Sequence, residues 1–116
     1  MKLEPAVHTL SALAHASRLT VFRLLVQAGE PGLAAGEIAR RAEVVPSTLS
    51  THLNLLSQAG LIHARRESRS IIYTADYARM RELLGFLLED CCAGAPQVCA
   101  PLAEIAARAA CCETAA

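Results

Sequence analysis

Residues 46–58, Pro46-Ser47-Thr48-Leu49-Ser50-Thr51-His52-Leu53-Asn54-Leu55-Leu56-Ser57-Gln58, decide how the rest of the chain is read. Pro46 has the fixed φ that suits the first position of a helix, and Gly60 is a natural left-handed stop at the other end. At 100° per residue, Leu49, Leu53 and Leu56 fall within ~60° of arc and form a stripe to be buried. Ser47, Thr51, Asn54 and Gln58 fall within another ~60° on the opposite side, with Thr48 and Ser50 flanking them. That outer face is short, uncharged and rich in hydrogen-bonding groups. A helix inserted into a major groove needs such a face, because small donors and acceptors reach base edges and phosphates without filling the groove. Ordinary surface helices also carry Ser, Thr and Asn, so the flanking sequence has to decide.

Upstream, residues 34–42 (AAGEIARRA) make a short helix with Ala35, Ile38 and Ala39 inward, and Glu43-Val44-Val45 is the turn into Pro46. Downstream of Gly60 the period changes. Leu61–Arg66 and Ser70–Thr74 are β-rich runs flanking Glu67-Ser68-Arg69, which reads as a hairpin with a charged tip. A short helix, a three-residue turn, a polar-faced second helix and a basic hairpin together make a winged helix-turn-helix. Arg65, Arg66 and Arg69 then sit on the wing, where phosphates or a minor groove are met. His52, between the two faces of its helix, is expected to be a satisfied histidine packed against the wing. His8, His15 and His63 are isolated and take no ligand role.

Further out, Val7, Leu10 and Leu13 recur at helical spacing behind Pro5. A second helix starts at Ser17 as N-cap, runs through Leu19, Phe22, Leu25 and Val26, and stops at Gly29 and Pro31-Gly32. Asp76 caps a long amphipathic helix through Met80, Leu83, Leu84, Leu87 and Leu88. Gly94 and Pro96 break that helix beyond Cys91-Cys92, and an Ala-rich helix covers about 101–111. The expected class is mainly α with a small β-hairpin. It is one winged helix-turn-helix domain over 1–116, with a cysteine-containing segment at about 91–112.

Composition agrees with one small globular domain. The chain has 116 residues, 53% of them hydrophobic, and a mean hydropathy of +0.33, which argues against disorder. Eleven Lys and Arg balance eleven Asp and Glu, so the whole is neither a polycation nor an acidic tail. The distribution is uneven. Residues 34–75 carry five Arg (40, 41, 65, 66 and 69) against Glu37, Glu43 and Glu67, whereas residues 76–116 carry three Arg against six acids. This basic middle is weak support for a polyanionic partner. No apolar run approaches the ~18 residues of a membrane span, and no signal-like stretch follows Met1–Glu4. The expectation is a soluble cytoplasmic protein with no membrane partner. With two Phe, two Tyr and no Trp, its core comes from Leu, Ile, Val and Ala. So thin a core gains stability by dimerising.

The chain resembles the ArsR family of winged-helix metalloregulatory repressors over roughly residues 5–90. The resemblance rests on Leu10–Leu19 (LSALAHASRL), Ser47–Leu53 (STLSTHL), Gln58–Ile62 (QAGLI) and the wing run Arg65–Tyr73 (RRESRSIIY). It implies that Ser47, Thr48, Ser50 and Thr51 contact double-stranded operator DNA, an inverted repeat. It implies too that the first and fifth helices form a homodimer interface. Asn54, Arg66 and Arg69 join the expected DNA face from the wheel and the wing. Two departures matter: Ser68 stands at the wing tip where Gly is common, and Val45 precedes Pro46 where a capping Ser is usual. Helix capping should differ while the fold stays.

Five cysteines, an odd number with no secretion signal, point to reduced thiols rather than a disulfide scaffold. In the best-known arsenic-responsive members the inducer thiols lie on the helix before the recognition helix. Here Gly32–Ile38 has no cysteine. The fifth-helix zinc sites of other relatives are missing too, since no His follows His63. Cys91, Cys92 and Cys99 remain, two ending the long helix and one beyond a Gly/Pro turn. Three thiols with no His or carboxylate partner favour a soft centre over Mg, Ca or Mn. As(III) or Sb(III) takes three sulfurs, whereas zinc normally wants a fourth ligand. The alternatives are a Cd/Pb or redox sensor using the same cluster, and plain packing of small apolar residues. Cys111 and Cys112 are read as a mobile end. A small thiol reductase is the weakest alternative: no C-x-x-C lies beside a βαβ pattern, and no nucleophile has a paired base. The reading is a regulator that is no enzyme and uses no catalytic cofactor.

Overall fold

Punctuation by proline, glycine and capping groups sets most of the element boundaries. The computed structural model describes residues 1–88. Its elements are α1 (Leu3–Leu13), α2 (Ala16–Ala28), β1 (Leu33–Ala34), α3 (Ala35–Ala42), α4 (Pro46–Gln58), β2 (Ile62–Glu67), β3 (Ser70–Ala75) and α5 (Tyr77–Leu88). Met1–Phe86 form one unit, and Leu87 and Leu88 complete α5. The cysteine segment and the expected helix at about 101–111 lie outside the described residues.

Val21, Phe22 and Leu25 place α2 at the centre, packed on α1, α3, α4 and β3. Around it close Ile38 of α3, Leu49, Leu53 and Leu56 of α4, and Leu61 and Ile62 at the start of the wing. Burying a Val, Leu, Ile or Phe side chain is worth about 1.5–3 kcal/mol, so these side chains carry the fold. The Tyr77 hydroxyl ties α5 to the end of α2, donating to the Val26 carbonyl at 2.9 Å.

The first two helices differ from expectation in their starts and faces. α1 begins at Leu3, so Pro5 falls inside the first turn, where backbone N–H groups lack intrahelical partners anyway. Its buried side is Ala6, Thr9 and Ala12, while Val7 is 55% and Leu3 66% exposed. The apolar spacing that announces the helix thus marks a face left open in the single chain. The N-cap of α2 is His15, not Ser17: His15 Nδ1 accepts the Ser17 amide at 3.1 Å. An imidazole nitrogen replaces the expected hydroxyl. Arg18 braces the same corner through Nε to the Ala12 carbonyl, 2.6 Å away.

The hairpin gains a third strand. β1 pairs with β3 (Leu33 opposite Tyr73, Ala34 opposite Ile72), giving the order β1-β3-β2. Gly32, with φ +65, allows the approach, since an added Cβ would collide with the Tyr73 carbonyl oxygen. At the tip, Glu67 pairs with Ser70, so the loop is the two residues Ser68-Arg69, shorter than expected. Ser68 has φ 55, the left-handed region that two-residue hairpin loops use and glycine fills at least cost.

α4 ends as expected. Gly60 adopts φ +77, its amide reaches the Ser57 carbonyl at 3.0 Å, and the Leu61 amide reaches Leu56 at 3.1 Å. Leu56 and Leu61 are both fully buried, the apolar contact that accompanies such an end. Asp76 caps α5 as expected, its Oδ1 accepting the Arg79 amide at 2.9 Å.

Candidate nucleic-acid interface

Leu49, Leu53 and Leu56 fix how α4 lies on the core, and this decides what it shows to solvent. Ser47, Thr48, Ser50, Thr51 and Asn54 are all exposed. The N-cap, Val45, offers no side-chain cap, as its replacement of serine implies. Ser50 donates its hydroxyl proton back to the Pro46 carbonyl at 3.2 Å, so toward solvent it presents lone pairs. Thr51, Asn54 and Ser57 have no side-chain hydrogen-bond partner among the described residues. Ser50, Thr51, Asn54 and Ser57 form one wall of a groove of about 470 Å³, whose other wall is Ala64 and Tyr73 of the sheet. Ser47 and Thr48 lie in the first turn of α4, outside that groove.

Alternation along β2 sorts the wing arginines. Ile62 is buried and Ala64 lines the groove, so Arg66 lies on the same face of the sheet. His63 and Arg65 lie on the other. Arg65 is fully engaged: Nη1 donates to Glu30 O at 2.9 Å, Nη2 to Pro31 O at 3.0 Å, and Nε to Glu67 at 3.0 Å. It anchors the wing to the turn before β1 rather than standing free beside Arg66 and Arg69. Those two are exposed and have no ion-pair partner among the described residues.

Electrostatics elsewhere are local. On α3, Glu37 accepts from Arg40 and from Arg41, the latter at 2.8 Å, and these bonds hold its carboxyl down to about 2. Asp76 joins α5 to the wing, with its Oδ2 2.6 Å from His63 Nε2. Burial pushes that carboxyl up, but the Arg79 amide and the His63 ring together bring it below the ordinary carboxylate range.

His52 does not pack on the wing. It is only 6% exposed, with its ring centroid 4.7 Å from that of His15 at the α1–α2 corner. Nor is it satisfied, because Nδ1 is buried without a partner among the described residues. Burial, then the neighbouring His15 and Arg18, lowers its pKa. Sequence reasoning missed this contact, the Arg65 anchor, the His63–Asp76 pair and Tyr73 in the groove. Only Tyr73 left a signal: hairpin pairing sets it opposite Ala64.

Cys91, Cys92 and Cys99 lie outside the described residues. Among the described residues no cluster of three or more His, Cys, Asp or Glu could hold a metal ion, and no helix is long and apolar enough to cross a membrane.

Helix, turn, helix and a clamped hairpin define a winged helix-turn-helix DNA-binding protein. Comparison with known proteins agrees: a family described as a helix-turn-helix domain matches residues 13–65. The transcriptional activator HlyU of Vibrio cholerae is 32% identical over 82 residues, covering 71% of this chain and 73% of that protein. The ArsR-like transcriptional regulator from Rhodococcus sp. RHA1 superposes with TM-score 0.66 at 25% identity, over 89% of this chain and 93% of that one. The homodimeric winged helix-turn-helix DNA-binding domain Mb0332 from Mycobacterium bovis gives 0.60 at 30% identity, over 75% and 81%. The chain belongs to the ArsR-like family of winged helix-turn-helix transcriptional regulators, a non-enzymatic class.

Proposed function

We propose that this chain is a cytoplasmic homodimeric repressor that holds an inverted-repeat operator until As(III) or Sb(III) binds Cys91, Cys92 and Cys99. It acts as one domain with a C-terminal thiol segment. Ser47, Thr48, Ser50, Thr51 and Asn54 enter the major groove, and Arg66 and Arg69 meet backbone or minor groove from the wing. The observation that carries this reading is the outer face of α4, where unengaged donors border a groove shared with the wing. Dimerisation through α1 and α5 is supported by the open apolar side chains Leu3, Val7 and Leu10 on α1 and Leu84 on α5. The inducer assignment rests on the donor type, three thiols, which suits a soft, three-coordinate centre. Coupling of ~1–3 kcal/mol per site is typical of such regulation, and a near-complete switch needs ~5.5.

The test is selection of a duplex from a random pool by the full chain, followed by titration of the complex with As(III), Sb(III), Cd(II) and Zn(II). Release by the trivalent ions, lost in each single Cys-to-Ser variant at 91, 92 or 99, is the expected result. Release by Cd(II) alone, or by mild oxidation reversed with reductant, would replace the metalloid by another thiol-directed signal.

A further inference from the structure

Tyr73 is the groove residue whose chemistry is least accounted for. Its ring packs against the core and its strand is paired on both sides, with Ala64 and with Leu33, so the side chain is held in place. Yet the hydroxyl of this half-buried residue has no hydrogen-bond partner among the described residues. Across the groove stand Thr51, Asn54 and Ser57, also unengaged, and Ser50, whose proton is turned back to Pro46. No carboxylate and no cation lines the groove. Such a site neither repels an anion nor neutralises a strongly charged one.

We infer that the groove between α4 and the wing seats one backbone phosphodiester of the bound duplex, with the Tyr73 hydroxyl as principal donor and Ser57 beside it. A singly charged phosphodiester oxygen accepts from neutral hydroxyls without needing a counter-charge. The position fits as well. A duplex whose major groove receives α4, and which the wing also touches, must carry a strand of backbone across the space between them. This inference deepens the proposed function and rests on it.

The experiment compares the full chain with Tyr73→Phe on the duplex selected by the parent and on a random duplex. A second series of duplexes carries a single methylphosphonate at successive positions. Tyr73→Phe is expected to bind both sequences about tenfold more weakly, as loss of a hydrogen bond to a charged acceptor implies. The salt dependence should not change, since no charge is removed. Thermal stability should not change either, since the hydroxyl holds nothing within the protein. At one backbone position, methylphosphonate should weaken the parent but not the variant, and Ser57→Ala should show a smaller coupling at that same position. Parental affinity in Tyr73→Phe, or additivity at every position, would overturn the inference. So would a fall of several degrees in Tm, which would make the hydroxyl structural. If the parent selects no duplex at all, the proposed function falls first and this contact with it.

Discussion

One chemical change made at two glycines should have opposite effects. Gly32→Ala puts a Cβ on a residue at φ +65, directly against the Tyr73 carbonyl oxygen and within 2.8 Å of the Thr74 and Ile72 methyl groups. The left-handed backbone alone costs about 1–2 kcal/mol for an alanine. The neighbour that must give way is backbone, so β1 has to separate from β3 and the Leu33–Tyr73 and Ala34–Ile72 pairs are lost. Together these should remove about 3–5 kcal/mol, the range reached when strain and lost packing combine. Gly36→Ala meets nothing within 4 Å in the first turn of α3 and should stabilise by about 0.5 kcal/mol. In a domain of about 100 residues, 1 kcal/mol moves Tm by about 4–8 °C. Thermal unfolding by circular dichroism, at one protein concentration because a dimer's Tm depends on it, should show Gly32→Ala down by more than about 12 °C. Gly36→Ala should rise by a few degrees. DNA affinity should fall only in Gly32→Ala, since the carbonyls of Glu30 and Pro31 that hold Arg65 flank the displaced turn. A Gly32→Ala protein melting within about 2 °C of the parent would refute the close approach and the third strand with it.

Three further outcomes follow from single residues. Because the fold lowers the His52 pKa from its ordinary 6.5, the unfolded chain takes up that proton first. Stability should therefore be full above pH 6.5 and decline as pH falls below it. His52→Leu should flatten that decline in a pH series of urea unfolding, and an unchanged slope would exclude His52 as its source. Ser68→Gly should stabilise by about 1 kcal/mol in the same assay, by relieving a positive φ at the wing tip. Arg66→Ala should weaken all DNA sequences alike and reduce the salt slope by about one unit, whereas Arg65→Ala should also lower Tm. Equal Tm values for the two would contradict the anchoring of Arg65.

Legibility followed how local the signals are. α4 was readable to within a residue, its end falling at Gln58 or Ala59, because Pro46 and Gly60 punctuate it and its leucines share one face. β1 was not, since two residues have no period and exist as a strand only by pairing with β3. The spacing of Val7 and Leu10 announced a helix but not which side the core covers. The small residues Ala6 and Ala12 let the backbones approach on the other face. His15 lies outside the usual set of capping residues, and His63 and Asp76 meet across a hairpin. Period-2 alternation separates Arg65 from Arg66, yet which of them faces α4 is decided only by packing. For the candidate DNA face, residue types and exposure were legible. The orientation of the Ser50 proton, the place of Tyr73 and the burial of His52 were not.

Apart from His52, which is buried, α4 contains no ionisable side chain. Under the proposed function the attraction to a polyanion therefore resides on the wing, while the side chains assigned to base edges are neutral. Strength and choice of sequence are thus written on different parts of the chain. On that reading, substitutions among Ser47, Thr48, Ser50, Thr51 and Asn54 should redirect the protein to a new operator while the number of phosphate charges it neutralises stays constant. Duplicated copies of such a gene could diverge in target without first losing their hold on DNA.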